Sequence, residues 1–229
     1  NLLEAEAELY EAGISTKAIV CDSASEEQTR AMVAKVVELY GRIDLLINNA
    51  GISMRSMFET VDLSVLKQVM DINFWGTVYA THAALPHIKA VKGGIIGISS
   101  IAGYRGLPVR TGYSASKFAL QGWLEAIKTE LVDKGVHVMW VSPGFTASNI
   151  RNVALNQRGE AQGESPLDEK SLMDADTCAG IIIKAVAERK RSIVMTFQGK
   201  QTVFLNKFFP SLADKLVRRF FFKEGKLVK

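Results

Sequence analysis

The chain has 229 residues, 48% of them apolar and 23% charged, which is the composition of a globular domain with a substantial core. This composition excludes a disordered chain, and no apolar run approaches the ~20 residues that a transmembrane helix needs. The net charge is +4, but residues 200–229 hold eight basic residues against two acidic ones, so residues 1–199 are slightly acidic. The sequence therefore gives no support for nucleic-acid binding by the body of the chain.

Helix and strand patterns alternate along residues 1–196. Apolar residues at helical spacing predict helices, and short apolar runs predict strands. The predicted helices are 1–12, which Gly13 ends; 26–40, which Ser25 caps and Gly41 ends; about 62–82, with a break at Pro86; 113–134; and 174–189. The predicted strands are 17–21, 44–48, 94–99, 136–141 and 192–196.

The predicted strands are apolar on both faces, which is typical of a parallel sheet covered by helices on both sides. The expected fold class is therefore a doubly wound α/β domain with three layers over residues 1–199. Residues 149–173 are polar and follow a strand, at the edge where such sheets bind ligands. We predict that they form a mobile substrate flap, with a plain surface loop as the alternative.

Tyr113 and Lys117 form the first candidate pair for chemistry. They lie four residues apart at the start of a predicted helix, so their side chains share one face. A free phenol has a pKa of ~10, and a nearby ammonium group favours the phenolate and lowers that value. A pair with this spacing occurs by chance in many proteins, so it requires support from its neighbours.

Polar and turn-forming residues follow the other predicted strands. Residues 48–51, the serines Ser99 and Ser100, and residues 143–144 each come directly after a strand, and Asn73 lies in an otherwise apolar helix. Because the carboxyl ends of parallel strands lie along one edge of a sheet, we expect these groups to converge on one cleft.

In order and spacing, the NNAG turn, the SSIAG segment, the YSASK box and the PG turn resemble the short-chain dehydrogenase/reductase family. The body and the tail together most resemble its hydroxysteroid-dehydrogenase-like branch. The resemblance covers residues 22 to about 196. It implies a Rossmann-type fold and an oxidoreductase that uses NAD or NADP to interconvert a secondary alcohol and a ketone or aldehyde. A dehydrogenase-like binding or regulatory module without catalysis is the alternative, although the serine, tyrosine and lysine are all present.

The resemblance also implies roles for individual residues. Tyr113 would be the general acid/base, and Lys117 would lower its pKa and hold the nicotinamide ribose. Ser100 would bind the substrate oxygen, and Asn73 would hold a water in a proton relay. The other cofactor contacts would come from Asp22, Ser23, Asn49, Ala50, Gly51, Pro143, Gly144, Thr146 and Ser148.

Two other chemistries are disfavoured by the sequence. His82, His87 and His137 lack the spacing of a metal site, and the serines at 99 and 100 lack the G-x-S-x-G setting of a hydrolase. Cys21 and Cys178 are too few for a disulfide framework and fit a reducing compartment, so we expect a cytoplasmic protein.

Residues 200–229 form a basic, phenylalanine-rich tail, whose apolar residues recur at helical spacing with an interruption at Pro210. The plainer interpretation is a helix packed on the domain or on a partner subunit. The alternative is a helix that contacts a membrane surface or the substrate entrance. By resemblance, the substrate would be a small steroid-like or lipid-like carbonyl or alcohol. The protein would be a homodimer or homotetramer paired through the helices that carry Asn73 and Tyr113.

The glycine-rich loop of the family, T-G-x-x-x-G-x-G between a strand and a helix, does not occur in the sequence. Its amides would bind the cofactor pyrophosphate, and its strand would lie between those ending at Asp22 and Asn48. We therefore expect ~30 or more further residues upstream in the natural protein. Without them the centre of the sheet would have an unpaired apolar edge, and the residue that selects NAD or NADP would also be missing.

Overall fold

The structure is a computed structural model that describes residues 2–165, 167–168, 171–224 and 226–228. Its helices are α1 (Leu2–Glu11), α2 (Glu26–Tyr40), α3 (Leu63–Met70), α4 (Gly76–Ala90), α5 (Thr111–Leu131), α6 (Ala175–Ala187), α7 (Phe197–Phe208) and α8 (Pro210–Phe221). Its strands are β1 (Leu45–Asn48), β2 (Gly94–Ile98), β3 (His137–Ser142), β4 (Ser192–Val194), β5 (Phe222–Lys223) and β6 (Lys226–Leu227).

Four strands form a parallel sheet in the order β1-β2-β3-β4. All six residues of β3 are buried, as expected for a strand covered on both faces. One core cluster joins β2 and β3 to α2, α4 and α5, and another joins the same strands to α6. Helices thus cover both faces, which confirms the predicted doubly wound α/β class. The parallel register brings Asn48, Ile98 and Ser142 to one edge of the sheet.

The predicted ends of α1 and α2 are confirmed. The Ser25 side chain accepts a hydrogen bond from the backbone N–H of Gln28 at 3.3 Å, which satisfies a donor at the start of α2. Gly41 ends α2 with a φ of 74°, and Gly13 follows α1 with a φ of 76°. Such positive φ angles are unfavourable for residues with a Cβ, so glycine is the suitable residue at both ends.

The predicted strand at 17–21 is wrong. Residues 14–21 are irregular and pair with no strand of the described part of the chain. A cleft of about 200 Å³ separates Ile19 and Cys21 from Leu46 and Ile47 of β1. The pattern of residues 17–21 suits a strand, but a strand also requires a hydrogen-bonded neighbour. The outer side of β1 pairs with no strand among the described residues, and Ile47 on β1 is 46% exposed, so this side is an apolar edge of the kind that we expected.

The predicted break at Pro86 is also wrong. A π-helical turn at Asp71–Trp75 connects α3 to α4, and α4 continues through Pro86 to Ala90. Pro86 cannot donate the backbone hydrogen bond to residue 82, and its ring crowds that carbonyl. The helix continues because Ala84 and Ile88, on either side of the proline, are fully buried in the core.

The tail forms a hairpin of α7 and α8, and Pro210 is the first residue of α8, where proline is well tolerated. It packs on the domain, because the side-chain amide of Asn206 donates to the Tyr104 carbonyl at 2.8 Å and Phe220 stacks on Phe145. Each helix of the described chain is too short or too polar to cross a lipid bilayer.

Replacing Pro86 by alanine should stabilise the protein. The side chain is exposed, so little packing is lost, and the substitution restores a helix hydrogen bond. An internal proline costs a helix ~3 kcal/mol relative to alanine, partly offset by the stiffer unfolded chain, so we expect a gain of about 2 kcal/mol. Urea denaturation measures this change, with Lys89→Ala on the same helix as a control expected to stay within ~0.5 kcal/mol. A lower free energy of unfolding for Pro86→Ala would contradict the prediction.

Candidate active site

Tyr113 and Lys117 lie in the first two turns of α5, beside the carboxyl edge of the sheet. Both are buried, with exposed fractions of 8% and 4%. The Lys117 ammonium group donates a hydrogen bond of 2.8 Å to the carbonyl of Ile98, the last residue of β2. It also lies 5.7 Å from the centre of the Tyr113 ring. The helix therefore places the phenol and the ammonium group side by side, as their spacing predicts.

Ser100 follows β2 and lies close to the phenol. Its hydroxyl oxygen accepts a hydrogen bond from the backbone N–H of Ala102 at 3.1 Å, which fixes the side chain in a short 3₁₀ turn (Ile101–Gly103). Its hydrogen bond with Tyr113 stabilises the phenolate form. Ser100 and Tyr113 can therefore act on the same substrate oxygen.

Gln121 also belongs to this group, although the sequence reasoning missed it. Its side-chain amide donates to the Ser99 hydroxyl at 2.7 Å and approaches the Ser142 hydroxyl at 3.5 Å. It thus connects the ends of β2 and β3. The signal was available, because Gln121 follows Lys117 by four residues, as Lys117 follows Tyr113.

Asn73 is fully buried in the π-helical turn and holds the segment after β1. Its carbonyl oxygen accepts from the backbone N–H of Ile52 at 2.8 Å, and its amide nitrogen donates to the Ile52 carbonyl and to the Ser116 hydroxyl, both at 2.9 Å. A Cβ on Gly51 would lie 3.2 Å from the Asn73 carbonyl oxygen and 3.5 Å from the Lys117 nitrogen. The Asn73 side chain therefore positions the turn next to Lys117, and the proposed water relay stays a prediction.

The other predicted cofactor residues lie along the same edge, on either side of this group. Ser23, Asn49 and Ala50 line the cleft beside β1. Asp22 is exposed at the entrance to α2, where its carboxylate accepts from the backbone N–H of Ala24 at 2.9 Å.

Residues 143–148 follow β3. A Cβ on Gly144 would lie 2.3 Å from the hydroxyl of Thr196, so this close approach requires glycine. Pro143 precedes this contact, Thr146 forms a bridge with Met173, and Ser148 is exposed. Residues 143–148 are thus held against the segments before α6 and α7.

The predicted flap is fastened over Tyr113 through its first half. Leu155 exchanges backbone hydrogen bonds with the segment after β1, donating to Ser53 at 2.9 Å and accepting from Arg55 at 2.8 Å. Residues 166, 169 and 170 of the predicted flap lie outside the described residues. Its mobility stays a prediction.

Three arginines near Tyr113 were also missed by the sequence reasoning. Arg110 is the residue before α5, Arg55 lies in the segment after β1, and Arg151 lies in the flap. Burial raises the pKa of Tyr113, while the hydrogen bond with Ser100 and the positive charges of Arg110 and Arg151 act in the opposite direction. The phenol is thus surrounded by several groups that stabilise its ionised form.

The chain matches the family model described as short chain dehydrogenase over residues 1–159. It is 32% identical over 201 residues to dehydrogenase/reductase SDR family member 7B of Danio rerio, covering 87% of this chain and 62% of the relative. It is 32% identical over 203 residues to 11-beta-hydroxysteroid dehydrogenase 1A of Arabidopsis thaliana, covering 84% of this chain and 57% of the relative. The chain thus spans about three fifths of the length of these relatives.

A solved structure of a short-chain dehydrogenase from Streptomyces avermitilis has the same fold, with a TM-score of 0.77 and 23% identity. The alignment covers 95% of this chain and 84% of that one.

Lys117→Met should stabilise the protein below about pH 8. Burial lowers the pKa of Lys117 from 10.5 to about 8, so the folded state binds this proton less tightly than the unfolded state does. The shift corresponds to about 3 kcal/mol of lost stability at neutral pH, and this loss disappears as the pH rises from 8 toward 10.5.

Urea denaturation from pH 7 to pH 10 measures the difference between Lys117→Met and wild type. The gain in the free energy of unfolding of Lys117→Met over wild type should be largest at pH 7 and should shrink as the pH rises. Exposed Lys89→Met is the control and should show no such trend. A gain that does not change with pH would show that the buried charge is not its source.

Proposed function

The chain belongs to the short-chain dehydrogenase family, and we propose that the protein is an NAD(P)-dependent oxidoreductase that interconverts a secondary alcohol and a ketone or aldehyde. The grouping of Tyr113, Lys117 and Ser100 at the carboxyl edge of the sheet supports this activity most directly. A phenol, an ammonium group and a hydroxyl meet there, and together they can transfer a proton and stabilise charge on a substrate oxygen.

The residues around Lys117 fit a nicotinamide cofactor. The buried ammonium group has three N–H bonds, but its one hydrogen bond to the described protein is to Ile98. The remaining donors suit the hydroxyls of a ribose, and the missing Cβ of Gly51 leaves space beside them. We propose that Tyr113 and Lys117 hold this ribose. The remaining contacts would come from Asp22, Ser23, Asn49, Ala50, Gly51, Pro143, Gly144, Thr146 and Ser148.

A bound nicotinamide cofactor supplies or accepts the hydride. The chain's own residues move the proton and orient the substrate. In reduction, the hydroxyl of Tyr113 donates its proton to the carbonyl oxygen. In oxidation, the phenolate accepts the proton of the alcohol, and Ser100 holds the same oxygen by a hydrogen bond. Lys117 remains beside the ring, where its positive charge favours the phenolate.

The surroundings of Tyr113 favour a substrate with an apolar portion. Tyr113 belongs to an apolar cluster with Met54 and Val65, and Leu107 and Leu155 pack against it. The Arabidopsis relative is named as a hydroxysteroid dehydrogenase. We therefore propose a steroid-like or lipid-like carbonyl compound as the substrate class.

The tail presents an apolar surface at the α7–α8 hairpin, which we call the tail face and define as Phe204, Phe208, Phe209, Leu212 and Leu216. Each is at least 43% exposed. Basic residues are interleaved with these residues along the tail sequence, and basic amphipathic segments bind anionic lipid surfaces. We propose that the tail face touches such a surface and brings the site close to lipid-like substrates.

Tyr113→Phe in the intact protein should remove nearly all turnover, because phenylalanine has no proton to transfer. General acid–base catalysis contributes about 10²–10⁴-fold, so we expect kcat to fall at least 100-fold while cofactor affinity changes only a few-fold. Lys117→Ala should weaken both turnover and cofactor binding, because it has two roles. Assays at the absorbance band of the reduced nicotinamide with a panel of ketones and alcohols measure turnover, and titration of cofactor fluorescence measures affinity.

The matched control is exposed Tyr40→Phe, which should leave kcat unchanged. If Tyr113→Phe retains more than a tenth of the wild-type kcat, Tyr113 is not the proton donor. If the wild type binds cofactor but reduces none of the panel, the protein is a dehydrogenase-like binding module.

The tail face should determine binding to lipid vesicles. We expect wild type to co-sediment with vesicles of phosphatidylserine and phosphatidylcholine, and added salt should weaken this binding. A variant with Phe204, Phe208 and Leu212 replaced by serine should bind at least tenfold more weakly. Leu63→Ser, an exposed leucine on α3, is the control and should bind like wild type. Failure of the wild type to bind these vesicles at any salt concentration would rule out the membrane role.

A further inference from the structure

We propose that the substrate carries an anionic oxyacid group, a carboxylate or a phosphate, close to its carbonyl or alcohol carbon, and that Arg55 and Arg110 bind this group. This inference rests on the proposed oxidoreductase function and specifies the substrate class of the same site. It adds an acidic group to the apolar carbonyl compound that the walls of the site favour.

Backbone hydrogen bonds bring the arginine-bearing segments to one place. The N–H of Ser56 donates to the Val109 carbonyl at 2.9 Å, so the backbone segments that carry Arg55 and Arg110 lie directly next to each other. The N–H of Arg55 donates to Leu155 at 2.8 Å, which brings in the flap. The positions of the arginines are therefore set by the backbone, not by the chance direction of long surface side chains.

The guanidinium groups of Arg55 and Arg110 form no hydrogen bond and no ion pair within the described part of the chain. The Nε of Arg55 is buried and has no hydrogen-bond partner. The Nε of Arg105 is also buried without a partner, but its two terminal nitrogens are paired with Asn206 and Asp214, whereas those of Arg55 and Arg110 are not. A buried donor of a charged group without an acceptor costs more than 1–3 kcal/mol, so such donors ordinarily face a ligand or water.

The electrostatics of the arginine cluster, which comprises Arg55, Arg110 and Arg151, agree with its geometry. The pKa of Arg110 is lowered, first by burial and then by the positive charges of Arg151 and Arg55, with Tyr113 acting in the opposite direction. No carboxylate of the described residues contributes to this balance. Mutually repelling cations in a partly buried place require a negative partner, and the planar guanidinium fork matches carboxylate and phosphate oxygens.

The cluster adjoins the reacting group. Arg110 lies three residues before Tyr113, and its charge is felt by the phenol. Arg151 also acts on the phenol, but it donates to the Thr146 carbonyl at 2.6 Å and so has a separate structural contact. An acidic group held by Arg55 and Arg110 would therefore lie near the substrate oxygen to which Tyr113 gives its proton.

The first experiment compares matched substrates with the intact protein and its cofactor. One pair is an aliphatic 3-oxo acid and its methyl ester, and the other is a hydroxyketone phosphate and the free hydroxyketone. We expect wild type to prefer at least one anion over its neutral partner by tenfold or more in kcat/KM. Arg55→Gln and Arg110→Gln should each reduce that preference at least tenfold, and the pair that responds distinguishes carboxylate from phosphate. Arg30→Gln, whose side chain pairs with Glu26 on α2, is the control and should keep the preference.

The second experiment measures anion binding without turnover. The Tm of wild type is measured in inorganic phosphate and in acetate, each against chloride at equal ionic strength. At least one of these two anions should raise the Tm. The double variant Arg55→Gln/Arg110→Gln should lose this response. Because it removes like-charge repulsion, its Tm without anion should be no lower than that of wild type.

A wild type that reduces neutral ketones as well as anionic ones and shows no anion-dependent Tm overturns this inference and leaves the proposed function intact. An anion-dependent Tm that the double variant loses supports the anion site even if no carbonyl compound is reduced, and in that case the proposed function is wrong. A lower Tm of the double variant without anion would show that the arginines are structural, which also overturns the inference.

Discussion

The buried ammonium group of Lys117 constrains the arrangement of the whole candidate site. It lies at the carboxyl end of β2, where the Ile98 carbonyl accepts its hydrogen bond, and burial lowers its pKa to about 8. Burying a cation costs free energy unless polar groups are positioned around it to form hydrogen bonds. Asn73 supplies part of this positioning, because it fixes the turn at Gly51 next to the ammonium group. The sheet edge, the π-helical turn and α5 are thus tied together at one charged group.

The regular spacing of side chains along α5 explains how one helix contributes several residues to the candidate site. Tyr113, Lys117 and Gln121 recur every four residues and face the ends of β2 and β3. The close approach of α5 to the sheet is possible because Gly97 lacks a Cβ, which would lie 2.4 Å from the Leu124 side chain. Packing of the helix against the sheet and placement of the reactive groups therefore have the same physical origin.

Much of this arrangement could be predicted because it depends on local signals. Residue spacing places the phenol and lysine on one face, and Ser25 and glycines with positive φ mark helix ends. The predictions that failed depend on contacts between residues that are distant in the sequence. The 17–21 pattern suits a strand, but pairing requires a neighbour, and Pro86 is tolerated because core packing outweighs a lost hydrogen bond. The arginine cluster was not predictable either, because backbone contacts between separate segments create it.

The two opposing influences on Tyr113 are suited to a reversible reaction. Burial raises the pKa of the phenol and keeps it protonated, as reduction of a carbonyl requires. The Ser100 hydrogen bond and the neighbouring arginine charges lower the pKa and stabilise the phenolate, as oxidation of an alcohol requires. Because the arginine charges are close to the phenol, a negative ligand bound to them would weaken their support of the phenolate and favour the protonated form. Binding of an acidic substrate would therefore favour the protonated form of Tyr113, which is the form that donates a proton in carbonyl reduction.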